Sequence, residues 1–291
     1  MTILRKWPAR VRHATFIEGM ARNLAGVATL ELDYRPPYDW SAFLAFIRPR
    51  AIPGLEFVDA DSYQRNGVQA THCPAKNCVL ARIAPASAKS AHAIAHQARS
   101  FFDLRANPRV ISAHLSKSPA LKNIVRRHPG LRVPGCWNGF ELGVRAMLGQ
   151  QVTVKGATTL AGRLVQRFGA PAPETLAQAD LTVIGIPKTR AESIRAFARA
   201  AADGHLRFDG EIPSQEMIHR MCGLPGIGPW TANYIAMRAL NDPDAFPASD
   251  LGLLKAAGIS SPRRLAELAE SWRPWRAYAA MHLWQSLRKQ D

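Results

Sequence analysis

Leu224-Pro225-Gly226-Ile227-Gly228-Pro229-Trp230-Thr231-Ala232 lies between two amphipathic segments, SQEMIHRMC before it and NYIAMRAL after it. Pro225 and Gly226 are expected to end the first helix, and Gly228 to let the backbone turn tightly with no side chain in the way. Pro229 suits the first turn of the next helix, where its missing N–H costs nothing. Backbone N–H groups at a glycine-rich turn before a helix N-terminus can cradle one phosphate. A plain connection between two helices, with glycines for packing, leaves the same PGxG signature, so the turn alone does not separate the two readings.

Composition narrows the field. The 291 residues suffice for two or three small modules or one large domain. Thirty-eight Lys and Arg against 22 Asp and Glu give a formal charge of +16, with a pI near 10.5. Such an excess suits a polyanion, because each neutralised phosphate releases condensed counterions; an acidic membrane surface or protein would also attract it. No run of about 18 apolar residues exists, so no spanning helix is expected. Cys73, Cys78, Cys136 and Cys222 show no CxxC and no Cys–His ligand spacing, which argues against zinc and a disulfide framework and fits a reducing cytosolic compartment. The start, MTILRKWPARVRHATF, is basic but lacks the apolar core of a secretory signal. A loose basic tail or the remnant of an upstream domain is the simpler reading beside a faint likeness to an organelle transit peptide.

The chain changes texture along its length. From residue 30 to about 85, short β-prone runs (LEFV, VQATH, CVLARI) alternate with turn signals, and an antiparallel sheet is expected. One amphipathic helix interrupts it in DWSAFLAFI, capped by Asp39 or Ser41, with Phe43, Leu44, Phe46 and Ile47 facing the core. From about residue 88 the pattern is helical: AHAIAHQARSFFDL, FELGVRAMLGQQVTVKGATTLAGRLVQRFG, TRAESIRAFARAAADG, then the segments around the PGIG turn. The loop NDPDAFPASD follows, and two helices reach the C-terminus. The fold class is α+β, a small sheet followed by an all-helical body.

Asp250 stands twenty positions after Trp230, in FPASDLGLLKA. Since a helix begins there, it reads as an N-cap, as a catalytic carboxylate, or as both. A helix-hairpin-helix, a connecting helix and an Asp at this distance resemble the helix-hairpin-helix glycosylase superfamily, named for its hairpin, Gly/Pro-rich loop and Asp. Within it the chain resembles the bacterial DNA-3-methyladenine glycosylase II family. The likeness extends over roughly residues 35 to 290. Its landmarks are YRPPYDWS (34–41), ADSYQR (60–65), FDLRANP (102–108), PGLRVPGCWNGFELGVRAMLGQQVTV (129–154), LPGIGPWTANY (224–234) and WRPWRAYAAMHLW (272–284).

The resemblance implies a β-rich N-terminal domain like half of a TATA-binding protein, then a two-lobed helical body with the active site in its cleft. The expected division is a loose tail at 1–30 and a sheet domain at 31–112. A helical domain bearing the Asp follows, from 113–135 and 243–291, and a helix-hairpin-helix domain at 136–242. The implied activity is excision of alkylated bases, such as 3-methyladenine and 7-methylguanine, from duplex DNA. The nucleotide must first be flipped out of the stack; Asp250 would then stabilise the positive charge growing on the sugar and orient the attacking water. An alkylated purine is cationic and already a good leaving group, so no general acid is needed, and an aromatic pocket would hold it through cation–π contacts. By resemblance that pocket draws on Phe46, Trp230, Tyr234 and Trp284, though each aromatic alone would read as core. Gln151, after Gly149-Gln150, is placed as the wedge that fills the vacated stack. Leu224, Gly226, Ile227 and Gly228 would meet DNA at the hairpin. Main-chain carbonyls of Cys222, Leu224 and Ile227 would hold a structural Na+ or K+ bridging to a phosphate. Relatives that nick the strand carry a lysine where this chain has Trp230, so no Schiff base and no lyase activity are expected. Iron–sulfur members carry four closely spaced C-terminal cysteines, and this chain has none after Cys222. No cofactor is required on this reading.

Two departures from the family pattern bear on base preference. Ser249 stands where the best-known relatives have a second acidic residue, leaving Asp250 with one like charge fewer nearby. After Trp284 comes Gln285, where an aromatic can occur. The competing readings are a glycosylase of the same superfamily for oxidised or mismatched bases, a DNA-binding relative without turnover, and a basic protein for RNA or membrane. The partner expected is double-stranded DNA with alkylated bases, met by a monomer in the bacterial cytoplasm at the nucleoid, with no membrane involved.

Overall fold

The computed structural model describes residues 21–22, 28–84 and 91–288. Six strands come first: β1 (Ala21–Arg22), β2 (Ala28–Asp33), β3 (Glu56–Val58), β4 (Ser62–Arg65), β5 (Val68–Cys73) and β6 (Cys78–Ile83). They form one antiparallel sheet in the order β1-β2-β6-β5-β4-β3. Along β2 the buried residues are Ala28, Leu30 and Leu32, every second position, so one face is packed and the other meets solvent. The sheet thus begins before residue 31; most of the expected tail, 1–20 and 23–27, lies outside the described residues.

Helix α1 (Trp40–Ile47) sits between β2 and β3. Asp39 caps it by accepting the Ala42 N–H at 2.9 Å, and Phe43, Leu44, Phe46 and Ile47 are all buried, as its apolar periodicity requires.

The helical body continues with α2 (Ala91–Phe101), α3 (Pro108–Leu115), α4 (Pro119–Arg127), α5 (Gly139–Leu148), α6 (Val154–Phe168), α7 (Pro173–Gln178) and α8 (Lys188–Ala202). It ends with α9 (Ser214–Cys222), α10 (Pro229–Ala239), α11 (Leu251–Ala257), α12 (Pro262–Ala269) and α13 (Arg276–Ser286). Two sequence readings need correction here. The run from Phe140 to Gly169 is two helices, because Gly149 closes α5 and Thr153 caps a fresh α6 by accepting the Gly156 N–H. The stretch after Asp250 holds three helices, because Gly258 ends α11 in the left-handed region at φ 66° and Pro262 opens another.

One continuous apolar core joins the sheet, α1 to α4 and α11 to α13; a second fills the space between α5, α8, α9 and α10. The sequence landmarks YRPPYDWS, FDLRANP and PGLRVPG converge on one side chain. Arg132, 1% exposed, donates to the carbonyls of Arg35, Pro37, Asp103 and Ala106 and lies 4.7 Å over the Tyr38 ring. Those conspicuous motifs are therefore structural. Sheet and helical body are clamped by a buried bidentate pair, Arg65 to Glu141 at 2.9 and 2.8 Å. Among the described residues no helix is long and apolar enough to cross a membrane.

Candidate active site

The hairpin joins α9 to α10. Helix α9 already ends at Cys222, with Gly223 as its cap, so Pro225 and Gly226 lie within the turn and do not terminate the helix. Gly226 has φ +78°, and a Cβ there would stand 2.4 Å from Ser193 Oγ of α8. It is therefore the glycine that conformation and packing demand. Gly228, expected to be the tight-turn glycine, is instead the extended N-cap of α10 at φ −91°, with nothing within 4 Å of a built Cβ. It contributes no capping side chain, so the first-turn N–H groups of α10 stay open toward a ligand. Ile227 points inward at 4% exposure and half-buried Leu224 packs against the same core, so what the hairpin offers at both positions is main chain. Among the described residues, the Cys222 and Ile227 carbonyls accept none of the turn and cap backbone bonds, and the Leu224 carbonyl accepts one, from Ile227 N at 3.3 Å.

Asp250 is the N-cap of α11. Its Oδ1 accepts the Leu253 N–H and the Trp284 indole N–H, both at 2.9 Å, and its Oδ2 accepts the Trp230 indole N–H at 2.9 Å. The N-cap reading thus holds, and the same carboxylate also accepts two indole N–H groups. Its indole donors come from α10 and α13, 20 and 34 positions away. Room for this exists because Gly252 has no side chain: a Cβ there would lie 3.0 Å from Asp250 Oδ1 and 3.2 Å from Trp284 Cδ1.

The four aromatic residues named from sequence do come together. Trp230 and Tyr234, one helical turn apart on α10, stack at 5.5 Å and 7°. Trp284 stands edge-on to Tyr234 at 6.4 Å and the same distance from Phe46. Phe46 is 5% exposed, and its ring is covered by the protein's own cations, with Arg50 at 4.0 Å and Arg238 at 5.2 Å from its centroid.

Sequence reading missed the arginines behind this wall. Arg238, one turn beyond Tyr234, is buried and donates to the Tyr234 hydroxyl at 2.9 Å and to the carbonyls of Pro134 and Gly135. Burial alone would raise the Tyr234 phenol, but Arg238, Arg50 and Arg145 outweigh it and bring its pKa down to about 8. The Arg145 guanidinium is lowered too, by burial, to about 10. The one sequence signal was a charge on the inward stripe of α10, where Trp230, Tyr234 and Arg238 recur every four residues.

Gln151 is exposed in the turn between α5 and α6, at φ 58°. The other non-glycine residues with positive φ among the described residues are Asn or Asp, which tolerate that region far better. Gln150, also missed, reaches the hairpin: its Nε2 donates to the Gly226 carbonyl at 2.8 Å and to Thr231 Oγ1 at 3.0 Å.

A hairpin with open N–H groups, an indole-clamped aspartate and an aromatic wall define a class, and comparison with known proteins gives the same class. Residues 29–138 match the AlkA N-terminal domain, and residues 144–274 match the HhH-GPD superfamily base excision DNA repair proteins. The chain belongs to the HhH-GPD superfamily. It is 35% identical over 277 residues to "DNA-3-methyladenine glycosylase 2" of Escherichia coli, covering 87% of this chain and 95% of that protein. It is 36% identical over 302 residues to the "Probable bifunctional transcriptional activator/DNA repair enzyme AlkA" of Mycobacterium tuberculosis, covering 96% of this chain. The chain spans 60% of the length of that mycobacterial relative. The fold is shared with the solved 3-methyladenine DNA-glycosylase from Archaeoglobus fulgidus, with a TM-score of 0.74 over 88% of this chain and 96% of that one, at 21% identity.

Proposed function

We propose that this chain is a monofunctional DNA glycosylase that removes alkylated purines from duplex DNA. The observation that carries the reading is Asp250, oriented by the indole N–H groups of two residues that also wall the aromatic cluster. A flipped cationic base would lie against Trp230, Tyr234 and Trp284, with Phe46 supporting the wall from beneath. As the N-glycosidic bond lengthens, the electron pair leaves with the base and C1′ becomes positive. Asp250 stabilises that charge and accepts a proton from the water whose oxygen bonds to C1′. The leaving group is already cationic, so the step requires no general acid and no cofactor. An indole at Trp230 cannot form a Schiff base, so the strand is not nicked.

Around this centre, the open N–H groups at Gly228 and the first turn of α10 would receive one backbone phosphate. Carbonyls of Cys222, Leu224 and Ile227 would hold Na+ or K+, adding a positive charge beside that phosphate. Gln151 would enter the stack left by the flipped nucleotide. A site of this kind needs no partner subunit, so the reading is of a monomer acting on double-stranded DNA in the cytoplasm at the nucleoid.

The test is release of 3-methyladenine and 7-methylguanine from methylated duplex DNA, with Asp250→Asn run alongside. The wild type should release both bases and the variant neither, while the variant still binds duplex, because the carboxylate acts on a charge present only in the transition state. Borohydride should trap no covalent adduct. Release that survives Asp250→Asn would remove the aspartate from the mechanism, and binding without release by either form would point to another lesion.

A further inference from the structure

We infer that Gln150 is a positioning residue that braces the Gln151 wedge against the phosphate-gripping hairpin, so that force put into the DNA stack is borne by the same element that holds the backbone. The inference rests on the wedge reading of Gln151.

The geometry is specific. Gln150 lies in the turn between α5 and α6, and its Nε2 donates both to the Gly226 carbonyl at 2.8 Å and to Thr231 Oγ1 at 3.0 Å. A carbonyl can only accept, which fixes which end of the amide faces the hairpin. On the other side, Arg190 of α8 donates to the main-chain carbonyl of Gln150 at 2.8 Å. Gly226 is itself pinned, since its missing Cβ is what lets Ser193 of α8 close on it. Turn, hairpin and α8 therefore form one bonded unit with Gln150 at its centre. The next residue is Gln151, held at φ 58°. A side chain in that region persists where the surroundings over-determine it, and the three bonds on Gln150 supply the constraint. Thr231 adjoins Trp230, so the strut also ties wedge height to the pocket wall.

Without the strut, the turn should relax and the wedge lose its fixed height, while duplex still docks on the hairpin. The experiment uses duplexes with 2-aminopurine beside a single alkylated purine, together with the same lesion in a two-base mismatch bubble, where the stack is already broken. Gln150→Ala should lower both the 2-aminopurine signal and single-turnover excision from the perfect duplex about tenfold, the loss expected for one or two hydrogen bonds. Excision from the bubble should stay within about twofold of wild type. Gln150→Glu, which keeps the length but loses the donor, should be at least as impaired as Gln150→Ala.

The deciding arm is the double variant. If Gln150 acts only through the wedge, adding Gln150→Ala to Gln151→Ala should cost nothing further. Additive losses, or equal losses on duplex and bubble with a lowered Tm, would make Gln150 a plain structural residue and overturn the inference. Gln151→Ala impaired with Gln150→Ala at wild-type levels would overturn the strut and leave the wedge standing. Gln151→Ala at wild-type levels would remove the wedge itself, and the strut with it.

Discussion

An ionised carboxylate offers about four lone-pair positions, and at Asp250 three are taken, by Leu253 N, Trp284 Nε1 and Trp230 Nε1. The remaining one, on Oδ2, is where the proposed mechanism would have the water proton taken. Orientation therefore matters as much as charge. Trp284→Phe keeps a ring beside Phe46 and Tyr234 but deletes one charge-assisted donor, a bond worth about 1.5–3 kcal/mol. Single-turnover release should slow by tenfold or more, with duplex affinity nearly unchanged; an unaltered rate would mean the indole serves only as a wall. Gly252→Ala should act in the same direction by a different route. Its Cβ would press on Asp250 Oδ1 and on the Trp284 ring, shifting the donor instead of removing it.

At the scale of one element, the hairpin gives its two glycines opposite work. Gly226→Ala puts a Cβ into Ser193 at φ +78° and should destabilise the fold by about 1–3 kcal/mol, read as a lower urea midpoint. Gly228→Ser places a favoured N-cap residue where space is open and should leave thermal stability unchanged or raised by about 0.5 kcal/mol. Duplex binding should nevertheless weaken, because the new hydroxyl competes with phosphate for the same N–H groups. The hairpin itself, the Asp39 cap of α1 and the cap at Asp250 were legible in sequence, because each obeys rules acting over a few residues. Which glycine carries the turn was not, since the answer lies in Ser193, more than thirty positions upstream. Nor could the inward direction of Ile227, the arginines behind Tyr234 or the reach of Gln150 be read, because they arise when α1, α5 and α10 meet. The break at Gly149 was hidden by apolar periodicity on both sides of it.

For the whole molecule, two buried groups with opposed shifts contribute to stability at mild acid pH. His282, buried on α13, is held down to about pKa 4 by burial first and by His128 second, and its Nδ1 has no hydrogen-bond partner among the described residues. Its folded pKa lies below the unfolded value, so its contribution is complete above about pH 6.5 and is lost as pH falls through 4. That limb amounts to about 3 kcal/mol. Asp103 accepts from Tyr278 and from the Val133 N–H, and burial lifts it to about pKa 6 although Arg132 pulls it down. Its folded pKa lies above the unfolded value, so its contribution is present below about pH 3.8 and lost as pH rises through 6, again by about 3 kcal/mol. Between pH 4 and 6 the two cancel in the wild type, and only single variants expose them. Asp103→Asn leaves the histidine alone and should lose stability steeply as pH falls from 6.5 to 4; His282→Leu leaves the aspartate alone and should gain it over the same interval. Urea midpoints at half-unit steps of pH, taken as differences from wild type, remove every other titration common to the three proteins. Parallel profiles for both variants would mean that neither group carries a shifted proton.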